Sequence, residues 1–237
     1  MIKDYTAEEI KEGQVMLFDK PYTWTSFQLV NKVRWLLCRK FGWKKLKVGH
    51  AGTLDPLATG LMILCTGKAT KKIMELTGFD KEYVAEMEFG ATTPSFDLET
   101  EVDETFQTDS INEESIKKAL TDFTGIIEQV PPLFSAKYVN GVRAYELARK
   151  GLKAELKSNQ VEVRQFELEH FEKPKGVFNV HCSKGTYIRS LARDLGLSLN
   201  SGAHLTNLKR TSIGEFQLTD AMNIEEFEKK LNINVTN

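Results

Sequence analysis

The sequence has few of the residues and runs that mark membrane, secreted and metal-binding proteins. It contains 3 cysteines and 4 histidines among 237 residues, and no Cys-x-x-Cys pair. An odd number of scattered cysteines, mostly in apolar surroundings, indicates reduced core thiols and a cytoplasmic protein. The scattered histidines fit no common zinc pattern. No apolar run is long enough to cross a membrane, and residues 1–20 lack the apolar core of a signal peptide.

A large net charge is also missing, because 32 Lys and Arg against 33 Asp and Glu give a formal charge of −1. The charges are nevertheless unevenly distributed. Residues 31–50 contain seven basic residues and no acid, residues 82–128 contain thirteen acids against two lysines, and residues 181–210 are basic again. Local basic runs attract a phosphate backbone whatever the total charge, which favours RNA as a partner. The alternative is that each run is a solvated helix face or loop.

The order of the predicted elements favours an α+β fold. Apolar runs and period-two alternation predict strands, and a period of 3.6 predicts helices. The predicted strands cover residues 15–19, 61–65, 81–90, 161–171 and 177–182, and the predicted helices cover 26–39, 67–77, 185–195 and 223–231. Another helix follows a predicted capping box of Ser110 and Glu113, and residues 91–110 are predicted as a polar loop. Irregular connections without a repeated βα unit indicate a largely antiparallel sheet flanked by helices.

Three predictions concern the bounds and faces of these helices. Ser26 is the predicted N-cap of helix 26–39, and Phe27 is placed on its buried face. Gly196 is predicted to end helix 185–195, since glycine commonly follows the last turn of a helix.

The most informative stretch runs from Gly49 to Gly60, with the sequence GHAGTLDPLATG. It holds one carboxylate, Asp55, among glycines, small residues and hydroxyls. Glycines allow a close backbone approach, and Pro56 favours extended geometry at Asp55. A rigid loop that leads into a buried strand is suited to aim a single acid at a substrate. The residues alone are equally compatible with a simple Asp-Pro turn.

This stretch resembles the catalytic loop of the TruB family of tRNA pseudouridine synthases, whose pattern runs close to GHTGTLDPLATG. Ala51 stands here where the family often has Thr, and Thr23 stands where a second family motif, K-P-x-G-x-T-S, has Gly. The resemblance extends in order over about residues 15–216. Its other segments are Lys20 to Ser26, Lys81 to Tyr83, Gly90 to Asp97, Gln129 to Ala136, Gly141 to Tyr145, Ser183 to Leu191 and Leu208 to Thr211.

The resemblance implies isomerisation of uridine to pseudouridine in the T-loop of tRNA, at position 55 of the tRNA, without a cofactor. Asp55 matches the nucleophile, which acts on a flipped-out uridine at either uracil C6 or ribose C1′. Tyr83 matches the residue that stacks under the uracil, and Arg189 matches the cation that keeps the carboxylate ionised. Taken alone, Tyr83 is equally a core aromatic, and Arg189 a surface residue that pairs with Asp194 or a phosphate.

The resemblance also implies a set of substrate-binding residues. They are His50, Lys20, Gly52, Thr53, Leu54, Lys184, Tyr187 and Leu208. Without the family, His50 is a hydrogen-bonded turn residue, Lys20 is solvated and Leu208 is ordinary core. Residues of about 124–153 match an insertion that clamps the RNA hairpin. Its predicted phosphate contacts are Lys137, Arg143, Arg149, Lys150 and Lys153.

The implied domain organisation is a catalytic domain over residues 1–216 and a short helical extension over 217–237. The extension is too short for a complete PUA domain, a C-terminal RNA-binding module. The expected partner is the T-arm stem-loop of tRNA. No cofactor, metal, membrane or obligatory protein partner is expected, and the protein is expected to be a cytoplasmic monomer.

The sequence allows two rival functions to be compared with this hypothesis. A nucleotide enzyme with a P-loop is excluded, because Met62 and Ala69 stand where that motif needs Gly and Ser or Thr around Gly67-Lys68. A non-catalytic RNA-binding or tRNA-folding module on the same scaffold remains open. Turnover by the wild type and by an Asp55→Ala variant separates the two.

Overall fold

The computed structural model describes residues 5–135, 137–139, 141–152 and 156–233. Its α-helices are α1 (Ala7–Glu12), α2 (Ser26–Phe41), α3 (Ile73–Thr77), α4 (Glu113–Leu120), α5 (Ala144–Arg149), α6 (Ile188–Ser198) and α7 (Ile224–Lys230). Short 3-10 helices cover Gly67–Lys72, Thr121–Phe123 and Leu218–Asp220.

Most strands of the described chain belong to one hydrogen-bonded series. The strands are β1 (Val15–Lys20), β2 (Val48–His50), β3 (Ala58–Thr66), β4 (Lys81–Phe89), β5 (Ala91–Thr92), β6 (Glu104–Thr105), β7 (Gly125–Gln129), β8 (Tyr138–Val139), β9 (Val142–Arg143), β10 (Asn159–Glu172), β11 (Lys175–Cys182), β12 (Ala203–Ile213) and β13 (Phe216–Gln217). β5–β6 and β8–β9 form separate two-stranded pairs.

The chain divides into two compact units, residues 1–81 with 209–237, and residues 82–208. In the first unit β3 pairs antiparallel with β1, from Val15↔Cys65 to Lys20↔Gly60, and with the short β2. The end of β12 lies beside β3 and pairs with β13. Because β3 is buried along almost its whole length, it forms the centre of an apolar core. The fully buried members of this core are Ala51, Leu61, Ile63, Cys65 and Ile213.

In the second unit the strand order is β12, β4, β11, β10, β7. β10 and β11 form a long antiparallel hairpin, and β7 pairs antiparallel with the start of β10. Phe178 lies 5.5 Å from Phe166 and 6.4 Å from Phe89, measured between ring centroids. Such tilted and edge-to-face contacts are favourable for aromatic rings. They make this cluster the centre of the second core.

The predicted α+β class with a mostly antiparallel sheet is confirmed, since all of the strand pairs described above with a register are antiparallel. The alternation predicted for 81–90 is confirmed as well. Tyr83, Ala85, Met87 and Phe89 are all buried along β4. The predicted strands over 15–19, 161–171 and 177–182 and the helix over 223–231 agree with β1, β10, β11 and α7. The division into residues 1–216 and 217–237 remains a prediction.

The predicted start of α2 is wrong by one residue. Thr25 is the N-cap and forms a capping box with Gln28, which leaves the Ser26 hydroxyl available for another contact. Phe27 is not on the buried face, because its side chain is 65% exposed. The register of α2 instead buries Leu29, Val30 and Val33.

Two further element predictions are wrong. The box that begins α4 uses Asn112 and Ser115 rather than Ser110 and Glu113, because Asn112 is the N-cap, with extended backbone. α6 begins at Ile188 and continues through Gly196 to Ser198, so Gly196 does not end it. A Cβ at Gly196 would lie 2.4 Å from the Ala203 nitrogen, which shows that this glycine allows close packing.

The predicted loop over 91–110 also contains the small β5–β6 pair.

The three cysteines lie in or near the cores, as predicted. Cys65 and Cys182 are buried, and Cys38 is half-buried. Burial raises the pKa of the Cys38 and Cys65 thiols, which disfavours the reactive thiolate. Among the residues the structure describes, no helix has the length and hydrophobicity to span a membrane.

The turn before α2 yields a stability prediction. Trp24 donates its backbone N–H to the Pro21 carbonyl at 3.4 Å, and Thr23 has φ of 68°. A branched residue at positive φ is strained, and this turn position favours glycine. We expect Thr23→Gly to raise the free energy of unfolding by about 1 kcal/mol. This value is the strain that threonine has in the left-handed conformation, minus the extra conformational entropy that glycine loses on folding. Urea denaturation measures the effect, and a Thr23→Gly variant less stable than the wild type contradicts the expectation.

Candidate active site

Asp55 lies on the loop that joins β2 to β3. Its carbonyl accepts a hydrogen bond from the Ala58 N–H at 3.1 Å, so the Asp-Pro pair does form a turn, and this turn leads directly into β3. The Asp55 side chain is half-buried. The turn and the aimed carboxylate are therefore two descriptions of one loop rather than competing ones.

Ser26 fixes the residue that precedes Asp55. Its hydroxyl accepts a hydrogen bond from the Leu54 N–H at 2.8 Å and donates to the Leu54 carbonyl at 2.9 Å. Both groups are buried, and the Leu54 side chain is buried as well. A buried backbone group held on both sides has little freedom to shift. Because Thr25 caps α2, Ser26 is free for this role.

Arg210 supports the same loop from β12. Its guanidinium donates to the carbonyls of Leu61 at 2.8 Å, Gly52 at 3.3 Å and Thr53 at 3.4 Å. The side chain is only 1% exposed. A fixed fork of donors is suited to several acceptors at once. At Gly60 a Cβ would lie 2.3 Å from the Arg210 carbonyl oxygen, so only glycine lets β3 approach β12 this closely.

Lys20 holds the loop from β1. Its ammonium donates to the carbonyls of Trp24 at 2.6 Å, Pro21 at 2.9 Å and Pro56 at 3.3 Å. The side chain is fully buried, so the solvated alternative for Lys20 is wrong. Burial lowers the pKa of Lys20 to about 8, partly opposed by the negative charge of Asp55.

The lowered pKa of Lys20 predicts a pH dependence of stability. Between about pH 8 and the ordinary lysine value the unfolded chain keeps the proton that the folded chain has lost. Folding stability therefore rises with pH in this window. We expect the free energy of unfolding of the wild type to increase relative to Lys20→Met by at most about 3 kcal/mol. Parallel urea titrations of both proteins from pH 7 to 10.5 measure the difference, and parallel pH profiles contradict the expectation.

The remaining predicted residues of this loop differ in exposure. Thr53 is exposed, whereas His50 and Gly52 are half-buried. Gly52 has φ of 99°, a conformation that favours glycine. Burial lowers the pKa of His50, partly opposed by a hydrogen bond with the Gly52 backbone. Burial therefore favours the neutral form of the His50 imidazole.

Arg189 lies in the second unit, in the first turn of α6, and is 3% exposed. Its guanidinium donates to the carbonyls of Phe134 at 2.9 Å and Ser95 at 3.1 Å, and its Nε lies 3.6 Å from a carboxylate oxygen of Asp97. The surface alternative for Arg189 is wrong. Arg193 is the residue that pairs with Asp194, at 2.7 Å.

The loop before α6 is held by Gln129. Its side-chain amide accepts from the Tyr187 N–H at 2.8 Å and donates to the Tyr187 carbonyl at 3.1 Å. This contact explains why α6 begins at Ile188 rather than earlier. Lys184 in the same loop is exposed. Tyr83 and Leu208 are buried, at 8% and 7% exposure, which fits either a wall of a base pocket or ordinary core.

The predicted phosphate-binding residues lie on an exposed segment. Lys137, Arg143, Arg149 and Lys150 are all exposed, and Lys153 lies outside the described residues. Arg143 stacks over the Tyr138 ring at 5.2 Å. Arg149 pairs with Glu99 at 3.1 Å. Three of the four described cations are thus without a carboxylate partner within this part of the chain.

The sequence does not predict that four residues hold the Asp55 loop, Arg189 or the loop before α6 in place. Arg210, Asp97 and Gln129 each belong to a segment that carries the family resemblance, but nothing in their spacing says that they are buried. Ser26 was assigned to the wrong contact. In each case the partner is a backbone carbonyl or amide, or a side chain, from a distant segment, which the local sequence does not reveal.

The fold is similar to that of chains in two solved assemblies. A chain of the "Crystal Structure of a Cbf5-Nop10-Gar1 Complex" matches with a TM-score of 0.67 and 27% identity. A chain of the "Structure of H/ACA RNP bound to a substrate RNA containing 2'-deoxyuridine" matches with a TM-score of 0.66 and 26% identity. The alignments cover 95% of this chain, but only 58% and 57% of those chains. This fold, with a single carboxylate residue on a braced loop, defines a pseudouridine-synthase class of protein.

Comparison of sequences defines the family within that class. The model of the TruB family pseudouridylate synthase N-terminal domain matches residues 39–188, and that of the tRNA pseudouridylate synthase B C-terminal domain matches residues 189–235. The tRNA pseudouridine synthase B of Phocaeicola vulgatus is 57% identical over 93% of this chain and 94% of its own length. The tRNA pseudouridine synthase B of Flavobacterium johnsoniae is 55% identical over 95% of this chain and 99% of its own length. The chain belongs to the TruB family, as the motifs around Asp55 predicted.

Proposed function

We propose that this protein isomerises uridine to pseudouridine in tRNA, at position 55 of the T-loop. The name shared by its closely similar relatives supports the reaction and the RNA class. The observation that carries the proposal is a single carboxylate, Asp55, on a loop braced by the buried side chains of Ser26, Lys20 and Arg210. Such bracing supplies the fixed geometry that covalent catalysis requires.

The reaction breaks the N1–C1′ glycosidic bond, turns the uracil, and joins C5 to C1′. The proton on C5 leaves and N1 gains one, so the atoms balance without a redox cofactor or an external group. The carboxylate of Asp55 attacks either uracil C6 or ribose C1′ and forms a covalent intermediate. The target base lies inside a folded arm, so it is flipped out before attack.

Arg189 and Tyr83 complete the proposed catalytic set. Burial of Arg189 and its fixation by Asp97 support its role as a charge partner, since an immobilised cation costs little reorganisation during the reaction. Tyr83 is proposed to stack against the uracil and to receive the C5 proton, a role with which its burial is compatible. His50, Lys20, Gly52, Thr53, Leu54, Lys184, Tyr187 and Leu208 are proposed to bind and position the flipped nucleotide or its loop.

The cellular substrate is tested by mapping pseudouridine in total tRNA from cells with and without this protein. We expect position 55 to revert to uridine in the cells that lack it, with other pseudouridines unchanged. Complementation with the wild-type chain restores the modification. Retention of pseudouridine at position 55 in the deleted cells contradicts the assigned substrate.

The exposed cations of the insertion are proposed to contact the phosphates of the T-arm. We expect a combined Lys137→Gln, Arg143→Gln and Lys150→Gln variant to bind an isolated T-arm hairpin more weakly. Its slope of log affinity against log salt should be shallower by about 2, since each phosphate contact contributes 0.7 to 0.9. Arg149 is left out because Glu99 already pairs with it.

Fluorescence titrations of a labelled hairpin over a range of salt concentrations measure this slope. A combined Lys117→Gln and Lys118→Gln variant on α4 serves as the control for loss of surface charge. An insertion variant whose slope equals that of the wild type counts against this placement of the RNA.

A further inference from the structure

One basic surface in the first unit has no role in the proposed chemistry. It consists of exposed and half-buried residues of α2 and of the segment that follows it, and is called here the α2 basic face. Its members are Phe27, Arg34, Trp35, Arg39, Lys40, Lys44, Lys45 and Lys47. No acidic residue occurs in the sequence between Asp19 and Asp55, so this face contains no acid of its own.

The cations of this face lack acidic partners, whereas several other surface cations have one. Lys68 pairs with Glu12, Lys117 with Glu113, and Arg164 with Glu162. Among the described residues no carboxylate pairs with Arg39, Lys40, Lys44, Lys45 or Lys47. Lys32, on the flank of the face, is already neutralised by Glu228 at 2.6 Å. The remaining cations form a surface of one sign, which attracts a polyanion.

Aromatic rings lie among these cations. Trp35 is 45% exposed and Phe27 is 65% exposed, on the same face of α2. The Arg39 guanidinium lies 5.1 Å and the Lys32 ammonium 5.3 Å from the Trp35 ring centroid. Exposed aromatic rings beside cations favour nucleic acid, since bases stack on the rings while cations follow the backbone. A symmetric contact of this face with the same face of a second copy is disfavoured, because two surfaces of like charge repel.

The face extends well away from the Asp55 turn. β3 begins at Ala58, next to that turn, and ends at Thr66, about 26 Å farther along the strand. At that far end the Lys47 carbonyl accepts a hydrogen bond from the Gly67 N–H at 3.0 Å. RNA that contacts Lys44 to Lys47 and also places a nucleotide at Asp55 must therefore span about 20 Å or more, by the same rise per residue.

We propose that the α2 basic face binds the backbone of tRNA outside the T-arm and stacks an unpaired base on Trp35. This inference rests on the proposed function for its RNA class. It adds a second contact surface that discriminates whole tRNA from an isolated T-arm hairpin.

The test compares two RNAs, full-length tRNA transcript and the isolated T-arm hairpin, with three proteins. The proteins are the wild type, a combined Arg39→Gln, Lys40→Gln and Lys44→Gln variant, and a control with Lys117→Gln, Lys118→Gln and Lys229→Gln. All six substituted side chains are exposed, so the folds are expected to be preserved. Affinity is measured by fluorescence titration at several salt concentrations, and initial rates are measured on both RNAs.

We expect the Arg39/Lys40/Lys44 variant to lose about tenfold in affinity for tRNA, with a salt slope shallower by about 2. Its affinity and initial rate with the hairpin should equal those of the wild type. Trp35→Leu should weaken tRNA binding by about tenfold through lost stacking, again without effect on the hairpin. The control should behave as the wild type with both RNAs.

Several results overturn the inference. Unchanged tRNA binding by the Arg39/Lys40/Lys44 variant does so, as does an equal loss for tRNA and hairpin, or an equal loss in the control. Binding of this face to vesicles with anionic lipid, with tRNA binding unaffected, would assign it to a membrane instead. Failure of the wild type to modify either RNA would contradict the proposed function alone, since the binding comparison does not depend on turnover.

Discussion

Replacement of Asp55 with Ala is expected to abolish pseudouridine formation while leaving tRNA affinity within a few-fold of the wild type. The carboxylate is the only side chain in the proposal that forms a covalent bond with the substrate. Loss of a nucleophile typically costs at least about 10⁴-fold in rate. Affinity should survive, because it arises from many phosphate contacts that this substitution leaves in place.

The measurement is single-turnover conversion of a tRNA transcript, followed by mapping of pseudouridine. Glu75→Gln is the matched control, since it removes one exposed carboxylate from the same unit without touching the loop. Appreciable turnover by Asp55→Ala contradicts the assigned nucleophile. Full loss of turnover with unchanged binding also separates catalysis from a purely RNA-folding role.

Replacement of Arg210 with Met is expected to damage both stability and turnover. The guanidinium binds the carbonyls of Gly52, Thr53 and Leu61 while almost fully buried. Met fills much of the volume but leaves these acceptors without their donor. Each buried unsatisfied group costs about 1–3 kcal/mol, so we expect the free energy of unfolding to fall by about 3 kcal/mol or more.

The effect on turnover should exceed the effect on binding. Loss of the Gly52 and Thr53 contacts frees the chain just before Asp55, and a small displacement of a reacting group costs about 10²-fold in rate. The neighbouring Lys209→Met serves as the control, because Lys209 is exposed. Arg210→Lys should remain defective, since one ammonium cannot reproduce the fork of donors. Wild-type stability and rate in Arg210→Met contradict the assigned bracing role.

The sequence predicts best where a signal is local and repeated. The alternation along 81–90 predicted both β4 and its buried face, and the run before Gly67 predicted the buried β3. Specific motifs identified the Asp55 loop because its glycines, proline and carboxylate occur together. These signals act through the chain's own geometry, so distant contacts do not alter them.

The supports of the loop could not be predicted in the same way. Lys20 and Arg210 belong to residue types that are usually solvated. Here both are buried, and each is bound by at least one carbonyl from a distant segment. Ser26 looked like a helix cap, but Thr25 fulfils that role and releases Ser26 to Leu54. The start of α6 was misplaced because Gln129, nearly sixty residues earlier, holds the preceding loop. Each error reflects a tertiary contact that overrides a local preference.

The most direct test of the account uses the purified protein and an unmodified tRNA transcript alone. We predict that uridine at position 55 of the tRNA becomes pseudouridine with no change in RNA mass and no added cofactor, and that the Asp55→Ala protein leaves it as uridine. A transcript that still carries uridine at that position after incubation with folded wild-type protein would contradict the account.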